Sequence, residues 1–496
     1  PAAGAPASRP APRTLADIPP EDPATYDMLC RGASVGVFQV ESRAQMSMLP
    51  RLKPRRYYDL VIQVAIVRPG PIQGGMVHPY LQRRQLSPGA LDYPSEELRP
   101  VLERTLGVPI FQEQVMQLAV VAAGFTPGEA DQMRRSMASW RHQGTLDRFQ
   151  QKLTDGLLKN GYTPEFAEQI YRQIEGFSGY GFPESHAASF ALLVYASSWL
   201  KCHHPAAFLC GLLNSQPMGF YAPAQLIADA RAHGVEVRPA DVMVSGWDCV
   251  LEAVPAAGTG TPQPAVRLGL RMLKGASAEV VQRIVQARAQ AAFDSVDDLA
   301  RRGRLDRGAL RVLAAGGALA TLAGHRRQAH WQAAVRRPAA LLHDAALNET
   351  PLALPAPREG EDIVADYASQ GFTLGRHPLA LLRRRLAAER FITAAELRTL
   401  PDRALARAAG IVTGRQRPGT AKEVMFVTVE DETGLANIIV HKDVQTRQRR
   451  EVLDATLLGI YGQVSREGEV IHLVARRLVD RSALLGDLTP RSWDFH

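Results

Sequence analysis

The chain has 496 residues, of which 46% are hydrophobic and 22% are charged. This length predicts three or four domains, each with enough apolar residues for a core, and it excludes a wholly disordered protein. Lys and Arg outnumber Asp and Glu by 58 to 50, a net charge of +8, which permits a polyanionic partner without establishing one. The apolar run from Phe190 to Leu200 is shorter than the roughly 20 residues of a membrane span, so no membrane association is expected.

The cysteine content predicts reduced thiols and a cytosolic location. Cys30, Cys202, Cys210 and Cys249 lack the CxxC pairs of a structural zinc site, so neither a metal nor a disulfide framework is expected. The chain does not begin with Met, and its first residues have neither the charged nor the apolar region of a signal peptide. We interpret it as a segment of a longer protein.

The spacing of apolar residues divides the chain into helical and β-rich regions. From Tyr26 to Gly219 they recur three or four positions apart, which predicts a mainly helical first domain. Two helix starts are explicit: Thr126 forms a T-x-x-E capping box with Glu129, and Thr163 precedes Pro164. Five β-rich runs between residues 408 and 478 predict an OB-fold barrel, with a small β-sandwich as the alternative.

Arg68 is the first candidate phosphate ligand. It lies on a Pro- and Gly-containing turn after the apolar run LVIQVAIV, and a rigidly held guanidinium suits a phosphate. The alternative is a solvated arginine on a structural turn.

Arg134 and Arg135 form a second candidate, on the helix that begins at Thr126. Adjacent residues on a helix point about 100 degrees apart, so at most one of the two faces a common target squarely. A solvated surface pair is the alternative interpretation.

The segment from Gly179 to Phe190 is the third candidate, because a Gly- and Pro-containing turn leads into a helix whose first amides suit an anion. Ser185 and His186 fall in that first turn, and a core or capping histidine is the alternative. No third member of a triad accompanies them, so hydrolase chemistry is not expected. The cluster of His203 and His204 with neighbouring cysteines lacks zinc-site spacing, and we assign no metal to it.

Candidate DNA contacts lie further along the chain. The turn at Lys274 and Gly275 is similar to a helix-hairpin-helix turn, whose amides bind a DNA phosphate, and packing alone is the alternative. In the β-rich region, five basic residues are placed for phosphate, and two aromatic residues are candidates for base stacking. The basic residues are Arg415, Arg417, Lys422, Arg476 and Arg477, and the aromatic residues are Phe426 and Tyr461.

Five blocks in one order resemble the fingers of the bacterial C-family DNA polymerases, the family of the replicative polymerase III alpha subunit. They are FQVESRAQM, VRPGPIQGGMV, VPIFQEQVMQ, GEADQMRRSM and GYGFPESHAASFALLVY. Three further segments resemble the damage-inducible, error-prone branch of that family. They are residues 201–227, residues 415–440 and the terminal RSWDFH.

The resemblance implies a multidomain α+β fold with mainly helical fingers, a helix-hairpin-helix domain and a C-terminal five-stranded OB-fold. The expected boundaries are a disordered or truncated segment 1–20, fingers 21–219, a mixed connector 220–262, a hairpin domain 263–338, a linker 339–361, a helical connector 362–399, the OB-fold 400–482 and a tail 483–496.

The resemblance also implies roles for the candidate residues. The nucleotide-binding set is Arg68, Arg134, Arg135, Tyr180, Ser185 and His186, and the DNA-binding set is Lys274, Gly275, Arg415, Arg417 and Lys422. The family's catalytic aspartates would lie upstream of residue 1, so no catalytic residue is assigned here. Mg²⁺ is expected in the full-length enzyme, with ligands outside this segment, and the segment alone is expected to be inactive.

The expected function is binding of primed template DNA and deoxynucleoside triphosphates within an error-prone, DNA-directed DNA polymerase that acts in translesion synthesis. The predicted linker lacks a Gln-x-x-Leu/Met-Phe peptide, so direct binding to the sliding clamp is not expected, and accessory proteins of a damage-tolerance cassette are the implied partners. The first alternative is a noncatalytic DNA-binding scaffold, and a metal hydrolase built on His186, His203 and His204 is a third reading.

Overall fold

The computed structural model describes residues 14–68, 71–72, 75–138, 145–176, 183–218, 221–254, 263–334, 352–417, 424–467, 470–488 and 493–495. The chain divides into two compact units at the His204–Pro205 bond. We call them the N-terminal unit and the C-terminal unit. None of the helices in the described ranges is long and apolar enough to cross a bilayer.

The described part of the N-terminal unit is helical. Its helices are α1 (Pro23–Cys30), α2 (Arg43–Leu52), α3 (Tyr57–Ile66), α4 (Val77–Arg84), α5 (Arg99–Leu102), α6 (Gln112–Ala123), α7 (Pro127–Ala138), α8 (Thr145–Lys159), α9 (Pro164–Gly176) and α10 (Glu184–His203).

The two predicted helix starts are confirmed. At α7, the Thr126 amide donates to Glu129 Oε2 over 2.9 Å, and the Glu129 amide donates back to Thr126 Oγ1 over 3.3 Å. At α9, Thr163 Oγ1 accepts a hydrogen bond from the Phe166 amide over 3.2 Å. Each hydroxyl satisfies one amide that the first helical turn leaves without a backbone partner.

Helix α3 is the centre of this unit, because every residue from Asp59 to Ile66 is buried. The long helix α10 packs along α3 and against α1. Trp199 of α10 and Tyr26 of α1 are almost fully buried. An apolar helix buried on all sides fixes the positions of its neighbours, which carry the candidate site residues.

The C-terminal unit begins with α11 (Pro205–Asn214), which the sequence assigned to the fingers. Its buried Leu209 and Leu213 face α12 (Pro223–Ala232) and a small sheet. In that sheet, β3 (Ala265–Arg267) pairs in parallel with β1 (Val237–Arg238) and antiparallel with β2 (Val250–Glu252). Helix α11 therefore packs with the second unit, whereas the sequence analysis groups residues 21–219 in the fingers.

The predicted hairpin domain contains a series of short helices. They are α13 (Ala278–Gln290), α14 (Val296–Arg302), α15 (Arg307–Ala315), α16 (Ala320–Ala323) and α17 (Arg326–Ala334). The turn at residues 273–277 was expected between two helices, but only the 3₁₀ turn Leu270–Met272 precedes it. Residues 303–306, which connect α14 to α15, form a turn with an α-helix on each side, the arrangement that was expected for residues 273–277.

The five predicted strands form a closed barrel. They are β4 (Leu405–Gln416), β5 (Met425–Asp431), β6 (Gly434–Val440), β7 (Leu457–Glu467) and β8 (Val470–Asp480). The strand order is β5-β6-β8-β7-β4, and β4 pairs again with β5, which closes the barrel and excludes the sandwich. Among these five strands, β6 and β8 pair in parallel and the other neighbours are antiparallel. Helices α21 (Lys442–Arg447) and α22 (Arg449–Asp454) connect β6 to β7. This arrangement confirms an OB-fold-like barrel.

Three helices precede the barrel. They are α18 (Glu359–Ser369), α19 (Pro378–Ala388) and α20 (Ala394–Thr399). Ile363, Leu379 and Phe391 form an apolar cluster with Ile411 and Leu457 of the barrel strands. The connector therefore packs on the barrel instead of acting as a free spacer.

The expected linker (339–361) and the expected tail (483–496) both contain residues that bond to neighbouring elements. Residues 339–351 of the expected linker lie outside the described residues, but Leu354 donates its amide to Gln328 Oε1 over 3.0 Å. In the tail, β9 (Trp493–Phe495) pairs in parallel with residues 414–416 of β4. The C-terminus therefore adds a strand to the barrel sheet.

Candidate functional site

The first turn of α10 carries two of the predicted nucleotide ligands. Pro183 is the N-cap, Ser185 is exposed and His186 is half-buried. The His186 ring lies 4.1 Å from that of Phe190, measured between ring centroids, and Phe190 contacts Phe38 edge-on at 5.2 Å. Tyr180, predicted for the same site, lies outside the described residues.

A carboxylate already lies at the start of α10. The Glu184 amide donates to Glu113 Oε2 over 3.0 Å. Glu113 is in the first turn of α6, and neither the spacing nor the resemblance assigned it a role. An anion entering here would meet a helix end at which one amide is already bonded to a negative group.

The Glu184 side chain anchors the same helix end. Its Oε1 accepts a hydrogen bond from the Tyr58 hydroxyl over 2.6 Å and forms an ion pair with Arg104 over 3.1 Å. Burial, together with the neighbouring Glu184, raises the pKa of Tyr58 above its ordinary value, so Tyr58 remains a hydrogen-bond donor. Helix α10 is therefore held against both α3 and the segment that follows α5.

Arg68 is held by an internal partner. Its Nη2 donates to Gln39 Oε1 over 2.7 Å, and its Nε donates to the Val64 carbonyl over 3.3 Å. Gln39 has a φ of 61°, a left-handed conformation that is uncommon outside glycine. Gln39 belongs to the block FQVESRAQM and Arg68 to the block VRPGPIQGGMV. The hydrogen bond between them therefore joins the first two of the five blocks that resemble the polymerase fingers.

Arg134 and Arg135 share one carboxylate. Arg134 Nη2 contacts Asp131 Oδ1 over 2.8 Å, and Arg135 Nε contacts Asp131 Oδ2 over 2.8 Å. The Arg134 side chain is 37% exposed and that of Arg135 is 74% exposed. The hydrogen bond from Arg134, assisted by the charge of Arg135, holds the pKa of Asp131 below its ordinary value. The spacing of three and four residues was visible in the sequence, but the shared partner was not predicted.

At the predicted hairpin turn, Gly275 has a φ of 86°, a conformation that favours glycine. The Lys274 ammonium donates to the carbonyls of Tyr367 and Ala368 over 3.0 and 2.8 Å. Lys274 also donates its amide to the Ser369 carbonyl over 2.8 Å. Lys274 thus caps the C-terminal end of α18, and a DNA contact through it stays a prediction that requires the ammonium to be shared.

In the barrel, the expectation of Arg415 as a surface phosphate ligand is wrong. Arg415 is only 7% exposed, and its guanidinium donates to the carbonyls of Val452 and Ala455 over 2.7 and 2.6 Å. It anchors the loop around α22. Arg417 is exposed just after β4 and stays a prediction, and Lys422 lies outside the described residues.

Two family models match parts of the chain. That of the bacterial DNA polymerase III alpha subunit finger domain matches residues 7–161, and a helix-hairpin-helix model matches residues 234–329. The error-prone DNA polymerase of Azoarcus sp. (strain BH72) is 64% identical over 492 residues, which are 98% of this chain and 46% of that protein. Over nearly its whole length, the chain is homologous to one segment of the bacterial error-prone DNA polymerases.

Other error-prone DNA polymerases give the same result. That of Aromatoleum aromaticum is 62% identical over 98% of this chain and 47% of its own length, and that of Bordetella bronchiseptica is 63% identical over 96% and 45%. The chain spans about half the length of these curated relatives. The solved asparaginyl-tRNA synthetase of Pyrococcus horikoshii shares 22% identity over 18% of this chain and 22% of its own, with a TM-score of 0.16, which is too low to support an argument.

Metal sites in proteins are built from clustered His, Cys, Asp and Glu side chains. No group of three or more His, Cys, Asp or Glu side chains in the described ranges could hold a metal ion. His186 and His203 are also seventeen positions apart on α10, about 25 Å, and His203 Nε2 is 2.8 Å from Asp22 Oδ2. That separation prevents the two histidines from sharing one metal, as the hydrolase reading would require.

Proposed function

We propose that the chain supplies the fingers, hairpin domain and OB-fold of an error-prone DNA-directed DNA polymerase that acts in translesion synthesis and damage-induced mutagenesis. The observation that carries this proposal is the 64% identity over 98% of the chain to a protein named error-prone DNA polymerase. The activity, substrates and partners of the whole protein are inferred from that homology. We place the protein in the bacterial cytoplasm.

The part that this segment plays is to bind and position. A nucleoside triphosphate brings about four negative charges, and guanidinium groups can neutralise them through charge-assisted hydrogen bonds. Arg134 and Arg135 are already oriented by Asp131. A phosphate would therefore compete with a carboxylate for guanidinium groups whose side-chain freedom is restricted, which lowers the entropy lost on binding.

The greater exposure of Arg135 makes it the better candidate for direct phosphate contact. Its side chain is 74% exposed against 37% for Arg134, so Arg135 can reach a ligand while Arg134 keeps both its Nε and Nη2 bonds to Asp131. Arg68, Ser185 and His186 are proposed for the same nucleotide surface. The resemblance supports their inclusion, and Tyr180 belongs to the proposal on the same ground.

Catalysis is proposed for the full-length enzyme with Mg²⁺, which would lower the barrier to attack by the primer hydroxyl. The described residues do not fit that metal, so we derive no chemical step from them. Primed DNA, deoxynucleoside triphosphates and accessory proteins of the damage-tolerance cassette are the proposed partners. Direct binding of the sliding clamp through the linker is not proposed.

The proposal is tested with Arg134→Ala and Arg135→Ala in the full-length polymerase. Loss of one charge-assisted bond, worth roughly 1.5 to 3 kcal/mol, should reduce kcat/KM for nucleotide by about 10- to 150-fold. We expect the larger loss for Arg135→Ala, with little change in DNA affinity. Arg172→Ala is the matched control, because Arg172 is also exposed and paired with a carboxylate, that of Glu168.

Two results would count against the assignment. Wild-type nucleotide dependence in both variants would make the pair ordinary surface residues, and an equal loss of DNA binding in both would make them DNA-backbone ligands. A second measurement uses residues 1–496 alone with primed DNA, Mg²⁺ and all four nucleotides. Binding without primer extension is expected, and extension above a buffer control would show that a metal site has been missed.

A further inference from the structure

Three residues form a row across adjacent strands on the outside of the barrel. Tyr461 of β7 pairs with Arg407 of β4 on one side and with Arg477 of β8 on the other. The guanidinium carbon of Arg407 is 4.9 Å from the centroid of the Tyr461 ring, and that of Arg477 is 5.5 Å away. Both arginines are exposed, so the ring holds two cations at the surface through cation–π contacts.

A β-bulge enlarges this basic surface. The register of β7 and β8 shifts between Tyr461 and Gly462, so that Tyr461 faces Arg477 while Gly462 faces Ala475. Arg476 is the extra residue of β8 that has no partner on β7. Arg476 and Arg477 are both exposed. Regular alternation would send two consecutive side chains to opposite faces. The bulge therefore places two consecutive cations on the outside of the barrel.

The Tyr461 ring is fixed from the helical side as well. Phe391 contacts it edge-on, with ring centroids 5.6 Å apart and planes at 75°. With two guanidinium groups over it and Phe391 at its edge, the ring is not free to stack on a base. It acts as a support for the cations.

Arg390 adds an exposed cation next to Phe391 at a cost in backbone strain. It ends α19 with a φ of 64°, where its amide donates to the Ala387 carbonyl over 2.9 Å. This left-handed position after a helix is one that glycine usually occupies. An arginine at this position is disfavoured by local conformation, and its charge offers a reason for its presence.

The face that OB-folds commonly use is poor in positive charge here. That face is formed by the second and third strands, which are β5 and β6. Their sequences, MFVTVED and GLANIIV, contain no Lys or Arg and include Glu430 and Asp431. A polyanion would be attracted to the opposite strands of this barrel instead.

We propose that the outer face of β4, β7 and β8 binds the sugar–phosphate backbone of a single-stranded nucleic acid through Arg407 and Arg477, which Tyr461 positions. Arg390, at the end of α19, is the third cation of the proposed surface. This inference rests on the proposed DNA-binding function and names the surface responsible in the barrel. The carboxylate of the adjacent Glu389 pairs with Arg481 and not with a cation of this surface.

The experiment measures binding of a dT₂₀ oligonucleotide by residues 1–496 at several salt concentrations. Each phosphate contact contributes roughly 0.7 to the slope of log K against log salt for single strands. Arg407→Ala and Arg477→Ala should each reduce the magnitude of that slope by about 0.7. Arg447→Ala should leave it unchanged, since Arg447 is an exposed barrel arginine that pairs with Asp443 on α21.

Two further variants separate binding from folding. Tyr461→Phe keeps an aromatic ring under the cations and should bind as the wild type does, whereas Tyr461→Leu should bind more weakly. Arg390→Gly removes a cation, so it should reduce the salt slope. It also relieves the left-handed strain at this position, so it should not lower the melting temperature. A structural role alone for Arg390 would leave the slope unchanged.

The outcomes distinguish the two proposals. If the wild-type chain binds dT₂₀ with salt dependence while the Arg407, Arg477 and Arg390 variants match the Arg447 control, this surface assignment is overturned and DNA binding stands. If the wild-type chain shows no salt-dependent binding to dT₂₀ or to primed DNA, the DNA-binding function itself fails.

Discussion

Arg84 and Asp59 form a bidentate ion pair that ties the end of α4 to the start of α3. Arg84 Nη1 donates to Asp59 Oδ1 over 2.9 Å and Nη2 donates to Oδ2 over 2.8 Å. The Arg55 amide donates to the same Oδ2 over 2.8 Å, and Arg84 Nη2 also donates to the Lys53 carbonyl over 3.0 Å. The Asp59 side chain is 2% exposed, so the central helix of the N-terminal unit depends on a buried charge.

Asp59→Asn should destabilise the N-terminal unit by about 2 kcal/mol. That is less than the roughly 3–5 kcal/mol for breaking a fully buried pair, because 21% of the Arg84 side chain is exposed. The measurement is hydrogen exchange of α3 peptides as a function of urea. Asp27→Asn is the control, since Asp27 pairs with Arg55 on the surface, and it should change stability by less than about 1 kcal/mol.

The same pair predicts a loss of stability in acid. Burial would raise the pKa of Asp59, but hydrogen bonds from Arg84 and the Arg55 amide outweigh it and hold the pKa below its ordinary value. A lowered folded-state pKa stabilises the fold above the unfolded value of about 4, and that contribution is lost as the pH falls further. Protection of α3 in Asp59→Asn should therefore show less acid dependence than in the wild type.

Gln114 supports the start of α6, next to Glu113. Its Oε1 accepts hydrogen bonds from the amides of Ile110 and Phe111, and its Nε2 donates to the Val101 carbonyl and Thr105 Oγ1. Gln114→Leu removes the Gln114 hydrogen bonds to these buried groups, although Thr105 Oγ1 keeps its own bond to the Leu102 carbonyl. A buried group left without a partner costs about 1–3 kcal/mol. We expect a total loss of about 2–4 kcal/mol in urea denaturation. Gln117→Leu on the exposed side of α6 is the control, and an equal loss there would contradict this role.

Local and periodic signals predicted the elements well. The Thr126 capping box depends on residues three positions apart, and the barrel strands show as β-rich runs of suitable length, so both were predicted from short segments. The bond between Glu113 and Glu184 joins residues 71 positions apart, and no local pattern announces it. The position of α11 in the C-terminal unit likewise depends on which core receives Leu209 and Leu213.

Arg415 shows why side-chain direction was harder to predict. The pairing of β4 with β5 shifts register between Val412 and Gly414, and a bulge changes which residues face the interior. Carbonyl acceptors near α22, about 40 positions later, then accept the buried guanidinium. The sequence shows a basic residue near a strand end, but neither the bulge nor these acceptors.

Arg415→Met should therefore destabilise the barrel without weakening nucleic-acid binding. Loss of the guanidinium leaves the carbonyls of Val452 and Ala455 without these donors, which should cost about 1–3 kcal/mol. The measurements are the urea midpoint of barrel peptides by hydrogen exchange and the salt slope for dT₂₀. A fall of about 0.7 in that slope at unchanged stability would show that Arg415 does reach a phosphate.

The last prediction concerns Glu430 and His377, which face each other between the barrel and α19 at 4.0 Å. Burial and the neighbouring Asp431 raise the pKa of Glu430 to about 7, and burial lowers the pKa of His377 to about 4. Because the folded-state pKa of Glu430 is above its unfolded value, its stabilising contribution is present in acid and falls as the pH rises from about 4.5 to about 7. The neutral His377 has the opposite effect, because the unfolded chain gains its proton as the pH falls from 6.5 towards about 4.

The two dependences offset each other in the wild type between about pH 4.5 and 6.5. Glu430→Gln keeps a neutral side chain at every pH, so it should be more stable than the wild type at pH 8 by roughly 1–3 kcal/mol, with no gain below about pH 4.5. In that variant the barrel should also become more stable as the pH rises from 4 to 6.5, because the His377 effect is no longer offset. Urea denaturation at pH 4, 6 and 8, with the exposed Asp443→Asn as control, measures both effects. A constant difference between Glu430→Gln and the wild type across this range would show that the pKa of Glu430 is the same in the folded and the unfolded chain.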